Sequence, residues 1–133
     1  MDIKRTQEEF NDCSRQIIGC AMRVHSALGN GFQEVVYQRA LEIEFKYEGL
    51  SYEREKEMPV FYRDECIGSR RVDFFVDGEI MVELKAIILL EDVHLAQAIN
   101  YLEAYNMRTG LLINFGSKSL TFKRLVNKKY QNL

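Results

Sequence analysis

Val72-Asp73-Phe74-Phe75-Val76-Asp77-Gly78-Glu79-Ile80-Met81-Val82-Glu83-Leu84-Lys85 reads as two short strands joined by an Asp-Gly turn. Even positions are apolar: Val72, Phe74 and Val76, then Ile80, Val82 and Leu84. Odd positions carry Arg71, Asp73, Phe75, Glu79, Met81, Glu83 and Lys85. A strand alternates its faces with period two, so each run has one apolar side and one largely polar side. If the apolar sides share a core, Asp73, Glu83 and Lys85 emerge together on the opposite surface. Two acids beside an amine on one sheet face can hold a divalent cation and a water.

The connection sets the register. A two-residue Asp77-Gly78 loop would pair Val76 with Glu79 and put the two apolar runs on opposite faces, which is costly when one face is buried. A three-residue loop, Val76-Asp77-Gly78 with the glycine left-handed, pairs Phe75 with Glu79 and keeps the runs together. Asp73 then faces Met81, with Glu83 on the diagonal roughly 7–8 Å away. Carboxylates can reach across that gap to one ion.

With 133 residues, 47% hydrophobic and 29% charged, the chain suits one globular domain over residues 1–133. Its longest apolar stretch, Ala86 to Leu90, is too short to cross a bilayer, so no membrane association is expected. The polar, acidic Asp2 to Asn11 does not resemble a signal peptide. Cys13, Cys20 and Cys66 are sparse and odd in number, which fits a reduced cytoplasmic setting and argues against a zinc site. Cys13 and Cys20, seven apart, fit one helix face as small core residues.

Net charge is −2, which excludes a wholesale basic nucleic-acid binder. From Lys118 onward, however, the chain carries Lys118, Lys123, Arg124, Lys128 and Lys129 and no acid. That segment is either a solvated basic tail or a local phosphate-attracting patch.

Thr6-Gln7-Glu8-Glu9 is a capping-box pattern opening a helix. Phe10, Ile17, Ala21, Val24 and Leu28 recur at helical spacing until Gly29-Asn30-Gly31 ends it. A second helix is expected from Gln33 to Tyr47, packing through Val36, Ala40, Ile43 and Tyr47 and terminated by Gly49. Strands follow over Leu50–Tyr62, Cys66–Phe75 and Glu79–Lys85, then a helix over Glu91–Asn106 and strands over Gly110–Phe115 and Leu120–Val126. Pro59 suggests an edge position. The order ααβββαββ predicts an α/β fold: a mixed sheet with helices on both faces.

The plain reading of Asp73, Glu83 and Lys85 is a charged, solvated sheet face. The crossover helix weakens it, because a helix over that face leaves the acids half-buried and in need of a partner. Glu34, near the start of the second helix, either offsets the helix dipole or joins the acids, with Tyr37 three residues on along the same face. The glycine at Gly31 would allow close backbone approach there. On the third helix His94, Gln97 and Tyr101 form a polar stripe; His94 reads as a surface histidine and Gln97 as able to hold a water or a phosphate oxygen. Arg71 would meet a phosphate or pair with Glu83, and His25 would cap or pack the end of the first helix. Glu53-Arg54-Glu55-Lys56-Glu57 is a solvated face or edge protection.

Gly31-x-x-Glu34-x-x-Tyr37 resembles the signature of the GxxExxY proteins, a branch of the PD-(D/E)XK nuclease superfamily. The similarity extends over Val24 to Gly29, Val72-Asp73-Phe74, Val82 to Ala86, Gln97 to Leu102 and Gly110 to Gly116, with Val72 where the superfamily's name has a proline. The resemblance implies a restriction-endonuclease-like core of order α-β-β-β-α-β and metal-dependent hydrolysis of nucleic-acid phosphodiesters, with DNA the expected partner. It implies Mg²⁺ or Mn²⁺ held by Asp73, Glu83, the Leu84 carbonyl and Glu34. Lys85 would orient the attacking water, and Gln97 would position water or phosphate. The alternative is a nuclease-fold module with weak or no turnover that binds nucleic acid, a second copy as a homodimer, or another protein partner.

Overall fold

The computed structural model describes residues 7–132, with side chains from Asn11 onward. The capping-box reading at Thr6–Glu9 and the packing of Phe10 lie outside what it describes. The first helix, α1 (Gln7–Leu28), buries Cys13, Ile17, Ile18, Cys20, Ala21 and Val24 and ends at Gly29, whose φ is 77°. The two cysteines are core residues, as their spacing suggested.

The second helix, α2 (Glu34–Glu48), ends on the left-handed Gly49. Its packing face differs from the expected one. Tyr37, Gln38, Leu41 and Phe45 are buried, whereas Val36, Ile43 and Tyr47 face solvent, Tyr47 at 86% exposure. Apolar side chains lie on almost every side of this helix, so spacing alone does not choose a face. Ring contacts do: Phe45 meets Phe74 edge-on at 4.9 Å, and Tyr37 stacks on Phe115 at 4.7 Å.

Strands β1 (Tyr52–Tyr62), β2 (Glu65–Val76) and β3 (Ile80–Lys85) form an antiparallel meander. Helix α3 (Asp92–Ala104) returns the chain to β4 (Thr109–Asn114), parallel to β3, and β5 (Thr121–Val126) closes the sheet antiparallel to β4. The strand order is β1-β2-β3-β4-β5. Pro59 lies on the edge strand β1, where proline is tolerated in a sheet.

Helices α1 and α2 cover one sheet face over Phe74, Val76, Ile80, Val82, Leu84, Leu111 and Ile113. Helix α3 covers the other through Ala98 and Leu102, over Val72, Met81 and Leu112. This is the mixed, two-sided α/β architecture that the element order predicts.

The β2–β3 connection is a three-residue loop, but it lies one residue later than expected. Phe75 pairs with Met81 and Val76 with Ile80, so the loop is Asp77-Gly78-Glu79. Val76 and Ile80 are both fully buried, and that burial draws them into the ladder. Asp77 and Gly78 take the left-handed conformations, at φ 57° and 69°. Parity is preserved, so both apolar runs still reach one core. The shift moves Asp73 from facing Met81 to the position level with Glu83, one step beyond the last pair, Phe74↔Val82.

Candidate active site

The β2–β3 ladder stops at Phe74↔Val82. The next pair would join Val72 to Leu84; instead, the Leu84 N–H donates to Asp73 Oδ2 at 2.8 Å. A carboxylate thus replaces a strand carbonyl, and the two strands part at that point. Main-chain N–H and C=O of one residue point to the same edge of a strand, so the Leu84 carbonyl faces the same gap. The carbonyl of the next residue, Lys85, turns the other way and accepts from the Phe115 N–H at 2.9 Å.

The alternation of faces also breaks here. Phe74 belongs to the α1/α2 core, but Val72 belongs to the α3 core. Across from Asp73, Glu55 has φ 53°, and the β1–β2 register passes from Arg54↔Phe74 to Lys56↔Val72 around this position. Arg70 consequently turns toward Glu83, with its Nη2 donating to Glu83 Oε2 at 2.8 Å. Arg71, the arginine expected to meet phosphate or Glu83, is exposed instead. The Arg70 guanidinium also lies over the Tyr101 ring, 4.2 Å from its centroid.

The acids are held away from water to different degrees. Glu83 is 2% exposed, Asp73 is half-buried, and Glu34 opens α2 in contact with solvent. Gln38, one turn after Glu34, donates from Nε2 to Asp73 Oδ1 at 2.9 Å. Burial and the facing Asp73 carboxylate push Glu83 up to about 7, against the opposing pull of Arg70 and Lys85. Burial also raises Asp73, although the Leu84 and Gln38 donors and the two bases oppose it. Glu34 is raised by desolvation and then by Asp73, with Lys85 and Arg70 opposing.

The Arg70–Glu83 pair is unequal. Desolvation works against the Arg70 charge, but Glu83 more than offsets it and Arg70 is raised. Glu83, deeper and crowded by a second acid, remains hard to ionise. Lys85 is half-buried and its side chain makes no hydrogen bond or ion pair among the described residues, yet its charge acts on all three acids. Asp73, Glu83, Glu34 and Lys85 therefore form one electrostatic cluster. Gln97 is exposed and makes no hydrogen bond within it; it lies one turn before Tyr101 on α3.

The donor set is oxygen only, three carboxylates and a carbonyl, which suits a hard divalent cation. One carboxylate oxygen, Glu83 Oε1, is buried without a hydrogen-bond partner, and so is Arg70 Nε. Buried polar atoms are nearly always satisfied, so this oxygen is open to a cation, a proton or a water. The chemistry fits a metal. Among the described residues no three His, Cys, Asp or Glu side chains already close round a common point.

The glycine-to-tyrosine segment has a structural job. The Tyr37 hydroxyl donates to the Gly29 carbonyl at 2.6 Å and accepts from the Phe32 N–H at 3.1 Å, tying down the turn before Glu34. Gly31 does not serve close approach, because a Cβ there would meet nothing within 4 Å. The tight glycine is Gly116, where a Cβ would fall 2.3 Å from the Ile87 nitrogen. Beside it the fully buried Asn114 accepts from the Ile87 and Gly116 amides and donates to the Ile87 carbonyl and Ser117 Oγ. These bonds lock the exit of β3, just after Lys85, to the exit of β4.

His25 Nε2 lies 3.0 Å from the Ser117 carbonyl and so packs the end of α1, while His94 Nδ1 accepts the Glu91 N–H and caps α3. Sequence reasoning missed Gln38 and Arg70. Gln38 was open to detection as the residue four after Glu34 on one helix face. Arg70 was not, because strict alternation assigns it to the wrong side.

The family model describing the PD-(D/E)XK nuclease superfamily matches residues 11–125. The chain belongs to the PD-(D/E)XK nuclease superfamily. The match spans every element from α1 into β5, and the five-stranded mixed sheet with its ααβββαββ order agrees with that fold. No curated protein and no solved structure shows a significant match. Membership in a nuclease superfamily suggests a nuclease-like function and contact with nucleic acid, and such nucleases generally use divalent metals. No helix among the described residues is long and apolar enough to cross a membrane.

Proposed function

We propose that this chain is a single-domain, cytoplasmic hydrolase of DNA phosphodiesters that depends on Mg²⁺ or Mn²⁺. Within the superfamily, Gly31, Glu34 and Tyr37 support placing it among the GxxExxY proteins. The observation that carries the reading is the parting of β2 and β3 at Asp73. It gathers Asp73, the Leu84 carbonyl and Glu83, and gives Glu83 an oxygen with nothing to bind.

Asp73, Glu83 and the Leu84 carbonyl would hold the metal, with Glu34 completing the acidic set directly or through water. The bound ion would screen the phosphodiester's charge and lower the pKa of a water. Gln38 and the Leu84 amide fix the orientation of Asp73. Lys85, whose ammonium acts on the acids without a fixed partner, would orient the attacking water and offset charge at phosphorus in the transition state. Gln97 would position water or phosphate from α3, and the basic stretch from Lys118 would attract the polyanion.

A second reading has a specific observation behind it. The Arg70–Glu83 ion pair neutralises the acid expected to bind metal, as it would in a module that binds nucleic acid or protein without turnover. The deciding experiment is cleavage of single- and double-stranded DNA and RNA with Mg²⁺ or Mn²⁺, against Asp73→Ala, Glu83→Ala and Lys85→Ala. Loss of cleavage in all three variants supports the enzyme; cleavage surviving Glu83→Ala eliminates this site.

A further inference from the structure

The proposed function leaves the ion pair unexplained. Glu83 Oε2 is 2.8 Å from Arg70 Nη2, but the contact is one-pronged: Glu83 Oε1 and Arg70 Nε are both buried and unpartnered. A guanidinium facing a carboxylate has the geometry for two parallel bonds, so a stable structural pair would normally use both. Here the donor and acceptor that could form the second bond remain unpaired.

The partners also differ in exposure. The Glu83 side chain is 3% exposed on β3, which pairs with β4 at this position, whereas the Arg70 side chain is 32% exposed. Arg70 comes from the part of β2 that pairs with β1 alone, opposite Met58. It has a second seat already in contact, the Tyr101 ring at 4.2 Å, which attracts a cation through its π face. Arg70 can leave Glu83 without leaving the protein. Glu83 cannot follow.

We propose that Arg70 is an exchangeable counter-cation: it neutralises Glu83 in the metal-free protein and yields that carboxylate to the arriving divalent ion, remaining on Tyr101. This rests on the metal-dependent reading above. A guanidinium and a divalent ion crowded against the same buried carboxylate repel each other, so binding of one expels the other. Arg70 thereby stabilises the empty acid site and sets a threshold of metal concentration for occupying it.

The test is Mn²⁺ titration by calorimetry, without nucleic acid and at alkaline pH where carboxylates are ionised, on wild type, Arg70→Ala, Arg70→Lys and Tyr101→Leu, with Glu83→Gln as the site control. Arg70→Ala should bind Mn²⁺ about tenfold more tightly, a change of about 1.4 kcal/mol. Without metal it should melt below wild type, and Mn²⁺ should raise its melting temperature by more than it raises that of wild type, an excess that a purely structural arginine would not give. Arg70→Lys, still cationic, should keep affinity near wild type. Tyr101→Leu, which lacks the alternative seat, should bind more weakly and decides the matter if Arg70→Ala does not fold. Equal or weaker binding by folded Arg70→Ala overturns the exchange and leaves the nuclease reading standing. Absence of Mn²⁺ binding in both wild type and Arg70→Ala overturns the two together.

Discussion

Asp73 Oδ2 accepts the Leu84 N–H at 2.8 Å, so a side chain on β2 completes a hydrogen bond that the backbone of β2 has relinquished. On the proposed function, scaffold and chemistry meet in this one carboxylate, and two substitutions separate them. Asp73→Asn keeps an oxygen for the Leu84 amide and should stay within about 1 kcal/mol of wild type, because the bond survives and only its charge is lost. Asp73→Ala strands a buried N–H and should cost about 1–3 kcal/mol in urea unfolding. Both should abolish cleavage. Asparagine as destabilising as alanine would show that the charge, not the bond, holds the strands.

Lys85 invites the opposite experiment. Its side chain has no hydrogen-bond or ion-pair partner among the described residues to strand, so Lys85→Met should leave the melting temperature nearly unchanged. Cleavage should fall by about 10²–10³-fold, the typical cost of removing one group that stabilises transition-state charge. The rate should fall with little change in KM. A large loss of stability instead would make Lys85 a structural counter-charge.

Stability should also depend on pH, in a direction set by Glu83. Its folded value, about 7, lies above the 4.5 of an unperturbed carboxyl. The folded protein therefore binds more protons between those values, and its stability falls as pH rises through them. The metal-free chain should lose up to about 3 kcal/mol from Glu83 over that window, with Asp73 and Glu34 acting in the same direction. Thermal unfolding followed by circular dichroism in chelator should show this decline. Glu83→Gln should flatten it, and added Mn²⁺ should oppose it by favouring the ionised form.

Two glycines give a contrast that the signature motif does not foresee. Gly31→Ala meets open space and should change stability by no more than about 0.5 kcal/mol. Gly116→Ala drives a methyl into the Ile87 backbone and should destabilise strongly, by about 3 kcal/mol or more, with loss of the packed core. Urea midpoints of the two variants compare them directly. A tolerated Gly116→Ala would mean that the loop after Lys85 is free to shift.

Tyr37→Phe should cost about 1–3 kcal/mol, since it strands the Phe32 amide and the Gly29 carbonyl. Mn²⁺ affinity should change less than with Glu34→Ala, because Tyr37 anchors the turn and Glu34 carries the charge. The two titrations, run on folded variants, distinguish the roles.

The chain's own pattern was enough for the element order, the two-sided sheet, the odd-length Asp-Gly loop and the set Asp73, Glu83, Lys85 and Glu34. Each follows from local rules: strand alternation, helical spacing, glycine at helix ends, and the cost of exposing an apolar run. Tertiary contacts decided what such rules leave degenerate. α2 turns toward Tyr37, Leu41 and Phe45 because rings across the core select one side among several apolar ones. Val76 joins β2, and the loop starts at Asp77, because Val76 and Ile80 are buried together.

The arginine beside Glu83 is Arg70 rather than Arg71 because the strand changes face where β2 leaves β3. That parting arises from partners distant in sequence, Leu84 and Gln38 on Asp73, and no periodicity within β2 encodes it. Local sequence therefore determined which polar residues were candidates to gather. The meeting of distant segments decided which of them touch, because a side chain's direction at a break in a strand is set by what lies across from it.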